Sequence, residues 1–236
     1  AVKRGTASIG VRTDDGVVLA VDKRIRSPLM ERSSVEKIHK ADDHIGIASA
    51  GHVADARQLI DYARRQAQIN QLRYGEPIGI ETLTKEITDH IQQYTQVGGA
   101  RPFGVALIIA GIADGEPRLY ETDPSGTPYE WKALSVGADR ADTRDYLEAH
   151  YSADLDLDGG IELALGALAS VNEDELSPEE VGLATVDAET EQFRELDDEE
   201  VETYLVDLDV LATDDDTADD AADDIDVDTA DDDTEE

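Results

Sequence analysis

Apolar periodicity divides this chain into strands and helices in an order that few folds accommodate. Residues 6–13 alternate and meet Asp14-Asp15-Gly16, the residue types of a tight hairpin turn, before a returning strand at 17–24. A third strand spans 44–50 and ends at Gly51. A helix is expected over 52–74, with Val53, Ala56, Ile60, Ala63 and Ala67 on one face, stopped by Gly75-Glu76-Pro77. A second helix puts Ile80, Leu83, Ile87, Ile91 and Tyr94 on one stripe. Strands resume at 103–111, 118–122 and 129–136, with Asp123-Pro124-Ser125-Gly126 as a turn. Two further helices follow at 140–151 and 160–171, then strands at 182–186 and 192–195, and a last helix carrying Val201, Tyr204, Leu205 and Leu208. Helices in pairs between antiparallel strand sets argue against a doubly wound parallel sheet. The pattern specifies an α+β protein, a four-layer αββα sandwich of two sheets face to face with helices outside.

Charge narrows the function classes. The chain of 236 residues has a formal charge of −36. Residues 213–236 hold 14 acids and no base, yet the remaining 42 acids still face only 20 Lys and Arg. Such a field repels phosphate backbones and anionic lipid, so neither nucleic acid nor membrane is an expected partner. Arg outnumbers Lys 14 to 6. Abundant surface carboxylate with scarce lysine suits molar salt, where screening confines charge repulsion to about 3 Å. The absence of cysteine removes disulfides, thiolate metal sites and thiol nucleophiles. The longest apolar run, 105–113, is too short to span a bilayer. No secretory signal is evident, and the cytoplasm is the expected location. The domain is expected to cover 1–211, with 212–236 an acidic disordered tail. At the other end, Ala1-Val2-Lys3-Arg4-Gly5 reads as the last turn of a helix capped by glycine, which leads us to expect a segment ahead of it.

Several short stretches carry a resemblance. Ser34-Val35-Glu36-Lys37-Ile38, the strand into Ser49-Ala50-Gly51, Ala54-Asp55-Ala56-Arg57, Gln93-Tyr94-Thr95-Gln96, Arg101-Pro102-Phe103-Gly104 and Glu121-Thr122-Asp123-Pro124-Ser125-Gly126 resemble the signature of proteasome α subunits, here of haloarchaeal type. The likeness runs from Ala1 to about Leu205. It implies the N-terminal-nucleophile hydrolase fold, in agreement with the αββα reading. It also implies seven-membered α rings stacked on β rings, with proteolysis confined to the β subunits. The family's α subunits carry a helix and a gate-forming tail ahead of the position of Ala1.

The rival implication is an active threonine peptidase. In β-type relatives a threonine opening the first strand attacks the peptide carbonyl, and its own α-amine accepts the proton. By that alignment Thr6 is the nucleophile, Asp22 the supporting carboxylate and Lys37 the supporting lysine. Five residues precede Thr6, however, and a peptide nitrogen is not a base. The turn expected to support the nucleophile and oxyanion reads Gly137-Ala138-Asp139, without the serine of the β type. No catalytic role is therefore expected: Thr6 reads as a β-branched residue starting a strand, Asp22 as a strand-end carboxylate paired with a nearby base.

Lys37, Gly51 and His52 take a different role in the resemblance, as a pocket for the C-terminal carboxylate of an activating AAA ATPase. A compact ammonium suits such a carboxylate, and backbone N–H groups of Gly51 and His52 at a helix start would favour an anion. The plain alternative for Lys37 is a solvent-facing side chain beside Glu36. Val97, Gly98, Gly99 and Ala100 map onto the axial constriction that unfolded substrates thread; Val97 stands where an aromatic is common. The function so implied is a non-catalytic ring subunit that scaffolds the β rings, frames the axial channel and docks the ATPase in ubiquitin-independent protein degradation. No cofactor is expected. Asp154, Asp156 and Asp158 imitate a calcium loop, but its twelfth position is Leu165, so they read instead as helix-capping charges. The five histidines show no metal-ligand spacing.

Overall fold

A computed structural model describes residues 2–25, 27, 29–96, 101–172 and 175–210. Ten strands and five α-helices follow in the order β1 (Ser8–Arg12), β2 (Gly16–Asp22), β3 (Ile38–Asp42), β4 (Ile45–Gly51), α1 (Val53–Tyr74), α2 (Ile80–Gln96), β5 (Val105–Ala113), β6 (Glu116–Thr122), β7 (Pro128–Glu130), β8 (Ala133–Val136), α3 (Arg140–His150), α4 (Leu157–Ala169), β9 (Val181–Asp187), β10 (Phe193–Glu195) and α5 (Asp198–Asp207). Two antiparallel five-stranded sheets result, in the orders β10-β9-β2-β1-β8 and β3-β4-β5-β6-β7.

Three apolar layers hold them together, and strand alternation explains how. Along β5, Val105, Leu107 and Ile109 face α1 and α2, while Ala106, Ile108, Ala110 and Ile112 face the other sheet. Along β2, Val18 and Ala20 meet α4, and Val17, Leu19 and Val21 meet the opposing sheet. Both faces of each central strand are buried, so these strands read as continuous apolar runs. Each fully buried Leu, Ile or Val contributes roughly 1.5–3 kcal/mol relative to exposure. The αββα sandwich expected from the sequence is the architecture observed.

Three local expectations need correction. Residues 129–136 are not one strand. Pro128–Glu130 pairs with β6, Trp131 donates its N–H to Leu119 O at 2.9 Å, and Ala133–Val136 pairs with β1 in the other sheet. The chain thus changes sheets at a corner across Trp131-Lys132, which period-2 patterning cannot register. Strand β3 was not expected, because Lys40 and His39 interrupt its apolar pattern. Val53 leaves the inner face of α1 and stands 67% exposed, whereas Leu59 is fully buried there.

The turn and cap readings hold. Thr13 N–H donates to Gly16 O, and Gly126 N–H to Asp123 O. Gly75 closes α1 at φ +74°. Asp156 caps α4 by accepting from Gly159 N–H at 2.8 Å, and Asp158 accepts from Tyr204 Oη. Among the described residues no His, Asp and Glu are grouped to hold a metal ion, and no helix is long and apolar enough to cross a membrane. The expected acidic tail at 212–236 lies outside the described residues.

Candidate functional site: a blocked threonine and the cavity beside it

Thr6 precedes β1, Asp22 ends β2, Lys37 enters β3 and Gly51 ends β4, so the two sheets deliver all four residues to one end of the sandwich. Lys37 does not face solvent beside Glu36. Its chain turns inward, and Nζ lies 2.7 Å from Thr6 Oγ1, 2.8 Å from Thr6 O, 3.0 Å from Asp22 O and 3.1 Å from Ala7 O. Four oxygens thus surround three N–H donors, and the ammonium has no unused donor. Burial pushes its pKa down from the ordinary lysine value to about 8, with the negative charge of Asp22 opposing. At neutral pH it remains charged.

The constellation holds Thr6 without activating it. Thr6 Oγ1 donates its proton to the Asp22 carbonyl at 2.6 Å, an acceptor far too weak to act as a base. The Asp22 carboxylate turns away and is held by Arg24, whose N–H, Nε and Nη2 lie 2.8, 3.1 and 3.0 Å from its oxygens. The nitrogen of Thr6 is an amide joined to Gly5. Nor is the Ala138 N–H free for a developing oxyanion, because it donates to Gly5 O at 2.8 Å. Gly137, at φ +106°, brings this turn so close that a Cβ would sit 2.6 Å from Thr6 O. Asp139 follows with φ +51° and starts α3.

Outside this constellation lies a cavity of about 400 Å³, bordered by Thr6, Lys37, Gly51, Val53 and Arg57. Gly51 has φ +126°, and a Cβ there would fall 2.4 Å from Gly104 O, so no side chain fits. Lys37 and Gly51 both border this cavity. His52 differs. Its backbone N–H is not available to an anion, since it donates to Gly104 O at 3.0 Å, and its exposed ring stands 3.7 Å from Asp55 Oδ1.

Sequence reasoning missed two participants. Arg57, one turn into α1, brings a second cation to the cavity and makes no ion pair among the described residues. Asp55, buried beside it, accepts from Arg101 Nη1 and Nη2, both at 2.7 Å, and from Gly104 N–H at 2.7 Å. Burial alone would raise its pKa, but these donors hold it below the usual carboxylate value. That clamp fixes the backbone on the far side of 97–100. Val97, Gly98, Gly99 and Ala100 themselves lie outside the described residues. The stretch Ala54–Arg57 carried family resemblance, yet no spacing rule distinguishes its pocket cation from its structural acid.

A four-layer αββα sandwich with a threonine held at the start of a strand defines the class. The family model for proteasome subunits matches residues 2–186, and the chain belongs to that family. Curated relatives include proteasome subunit alpha 1 of Haloarcula marismortui, 80% identical over 94% of this chain and 85% of that protein. Proteasome subunit alpha of Natronomonas pharaonis is 76% identical over 93% of this chain and 87% of its own length. Proteasome subunit alpha 1 of Haloferax volcanii is 74% identical over 92% and 86%. These organisms are halophilic archaea, in keeping with the charge of −36.

Proposed function

We propose that this chain is a non-catalytic α-ring subunit of a haloarchaeal proteasome. It assembles with other α subunits in a seven-membered ring, stacks on β subunits, and frames the channel through which unfolded substrates reach them. The observation that carries this reading is the state of Thr6: its amine is blocked, its hydroxyl proton rests on a carbonyl, and its lysine is saturated. Val97, Gly98, Gly99 and Ala100 serve as the axial constriction that unfolded substrates thread. The cytoplasm is the location this role requires.

The cavity at Lys37 receives the C-terminal carboxylate of an activating AAA ATPase. Lys37 and Arg57 supply positive charge, and an entering carboxylate replaces one of the neutral oxygens now on the ammonium. Gly51 contributes the space that a side chain would deny. His52 lies at the rim. Lys37→Ala is expected to reduce ATPase-stimulated degradation severalfold while heptameric rings still form; unchanged stimulation would remove the pocket assignment. Arg57→Ala is expected to give the same defect in milder form.

One contact favours a second reading: Lys37 Nζ sits 2.7 Å from Thr6 Oγ1, where a threonine peptidase would need it. Intact-mass measurement of the native chain decides between them. A mature N-terminus at Thr6 supports the peptidase; any upstream start leaves the ring-subunit reading in place.

A further inference from the structure

A second cavity, of about 350 Å³, opens between β8 and α3, away from the Lys37 site. Its volume falls within the range of small-molecule pockets. Trp131, Ala133 and Leu147 form its apolar wall. One polar group at its floor has no explanation in the fold. Leu134 and Val136 enter the core between the sheets, so alternation turns Ser135 the other way, towards α3. Ser135 is 2% exposed, and its Oγ has no hydrogen-bond partner. Buried hydroxyls are rarely left so, because the desolvation is uncompensated.

The rim supplies charge of one sign in usable form. Arg140 gives both Nη atoms to the buried Glu121 carboxylate, at 3.0 and 3.1 Å, and so stands fixed. Arg144 uses Nε on Glu148 at 2.7 Å, which leaves its two Nη groups free, and its guanidinium lies 5.9 Å from the centre of the Trp131 ring. Lys132 makes no ion pair among the described residues. The carboxylates at the rim are already engaged: Glu130 by Arg12 and Arg118, Glu148 by Arg144. Two free Nη groups of Arg144 and the ammonium of Lys132 over an apolar slot, in a chain of charge −36, select an anion with an apolar body.

We infer that the β8–α3 cavity is a binding site for a small aromatic carboxylate, whose ring lies along Trp131, Ala133 and Leu147, and whose carboxylate meets Arg144 and Lys132 and accepts the hydrogen bond that Ser135 lacks. The proposal is independent of ATPase docking.

Trp131 is the chain's single tryptophan, so its emission reports this cavity alone. The full chain in molar KCl is titrated with 3-phenylpropionate, with 3-phenylpropanamide as the uncharged counterpart and acetate as the ringless one. Saturable change is expected with the acid, at least tenfold weaker for the amide, and absent for acetate. Arg144→Gln is expected to weaken the acid about tenfold. Ser135→Ala is expected to weaken it severalfold while leaving the thermal midpoint equal to or above that of the parent. No saturable change, or equal binding of acid and amide, would overturn the proposal. So would a Ser135→Ala variant that binds the acid as the parent does, or one that melts earlier because the hydroxyl serves the fold.

Discussion

Lys37 and Ser135 occupy opposite extremes of the same accounting. The lysine has more oxygens around it than it has protons to give, and the serine has a buried hydroxyl with nothing to meet. A saturated polar group fixes structure, whereas an orphaned one costs stability unless something arrives to satisfy it. The two sites also differ in what frames them. The Lys37 cavity is bounded by backbone at close quarters, the Ser135 cavity by side chains on a helix and a corner.

The sharpest test of that contrast is to place a methyl group where backbone closes the first cavity. Gly51→Ala combines φ +126° with a clash against Gly104 O, and should cost about 3 kcal/mol in a denaturant melt. Next is Lys37→Met, which removes the ammonium shared by Thr6 O, Ala7 O and Asp22 O, the last two keeping donors in Asp22 N–H and Thr6 Oγ1, and is expected to cost about 2 kcal/mol at pH 7. Its pH signature follows from the depressed pKa. Between about 8 and the ordinary lysine value the unfolded chain holds the proton that the folded chain has released. The parent should therefore gain stability relative to the variant as pH rises through that window.

Asp55→Asn should lower the denaturant midpoint by less, because the exposed Arg101 loses its carboxylate while Gly104 keeps an acceptor. Asp55 is held below the usual carboxylate value, so its contribution is present above that value and fades as pH falls through the folded one. Parent and variant stabilities should converge in acid. Ser135→Ala has the smallest expected effect and the opposite sign, a gain of about 1 kcal/mol or less.

How far the sequence carries depends on the scale of the cause. Layer order was legible because each central strand buries both faces and each helix one stripe, as the 105–113 run and the Ile80-Leu83-Ile87-Ile91 series declare. The change of sheets at Trp131-Lys132 was not, since a corner leaves alternation intact on either side. Thr6, Asp22 and Lys37 could be paired through the resemblance, but the inward turn of Lys37 depends on carbonyls that carry no sequence signal. Nor could His52 be seen to lose its backbone N–H to Gly104, a partner 52 residues away in the chain. The β8–α3 cavity was invisible for the same reason: an orphaned hydroxyl is defined by what its neighbours fail to offer.

The central claim is that Thr6 is held inert, and it can be tested with a threonine-directed epoxyketone. Native particles are incubated with the reagent in molar salt, and the intact mass of this chain is measured. An unmodified chain that begins upstream of Thr6 is expected. A covalent adduct on Thr6 would contradict it.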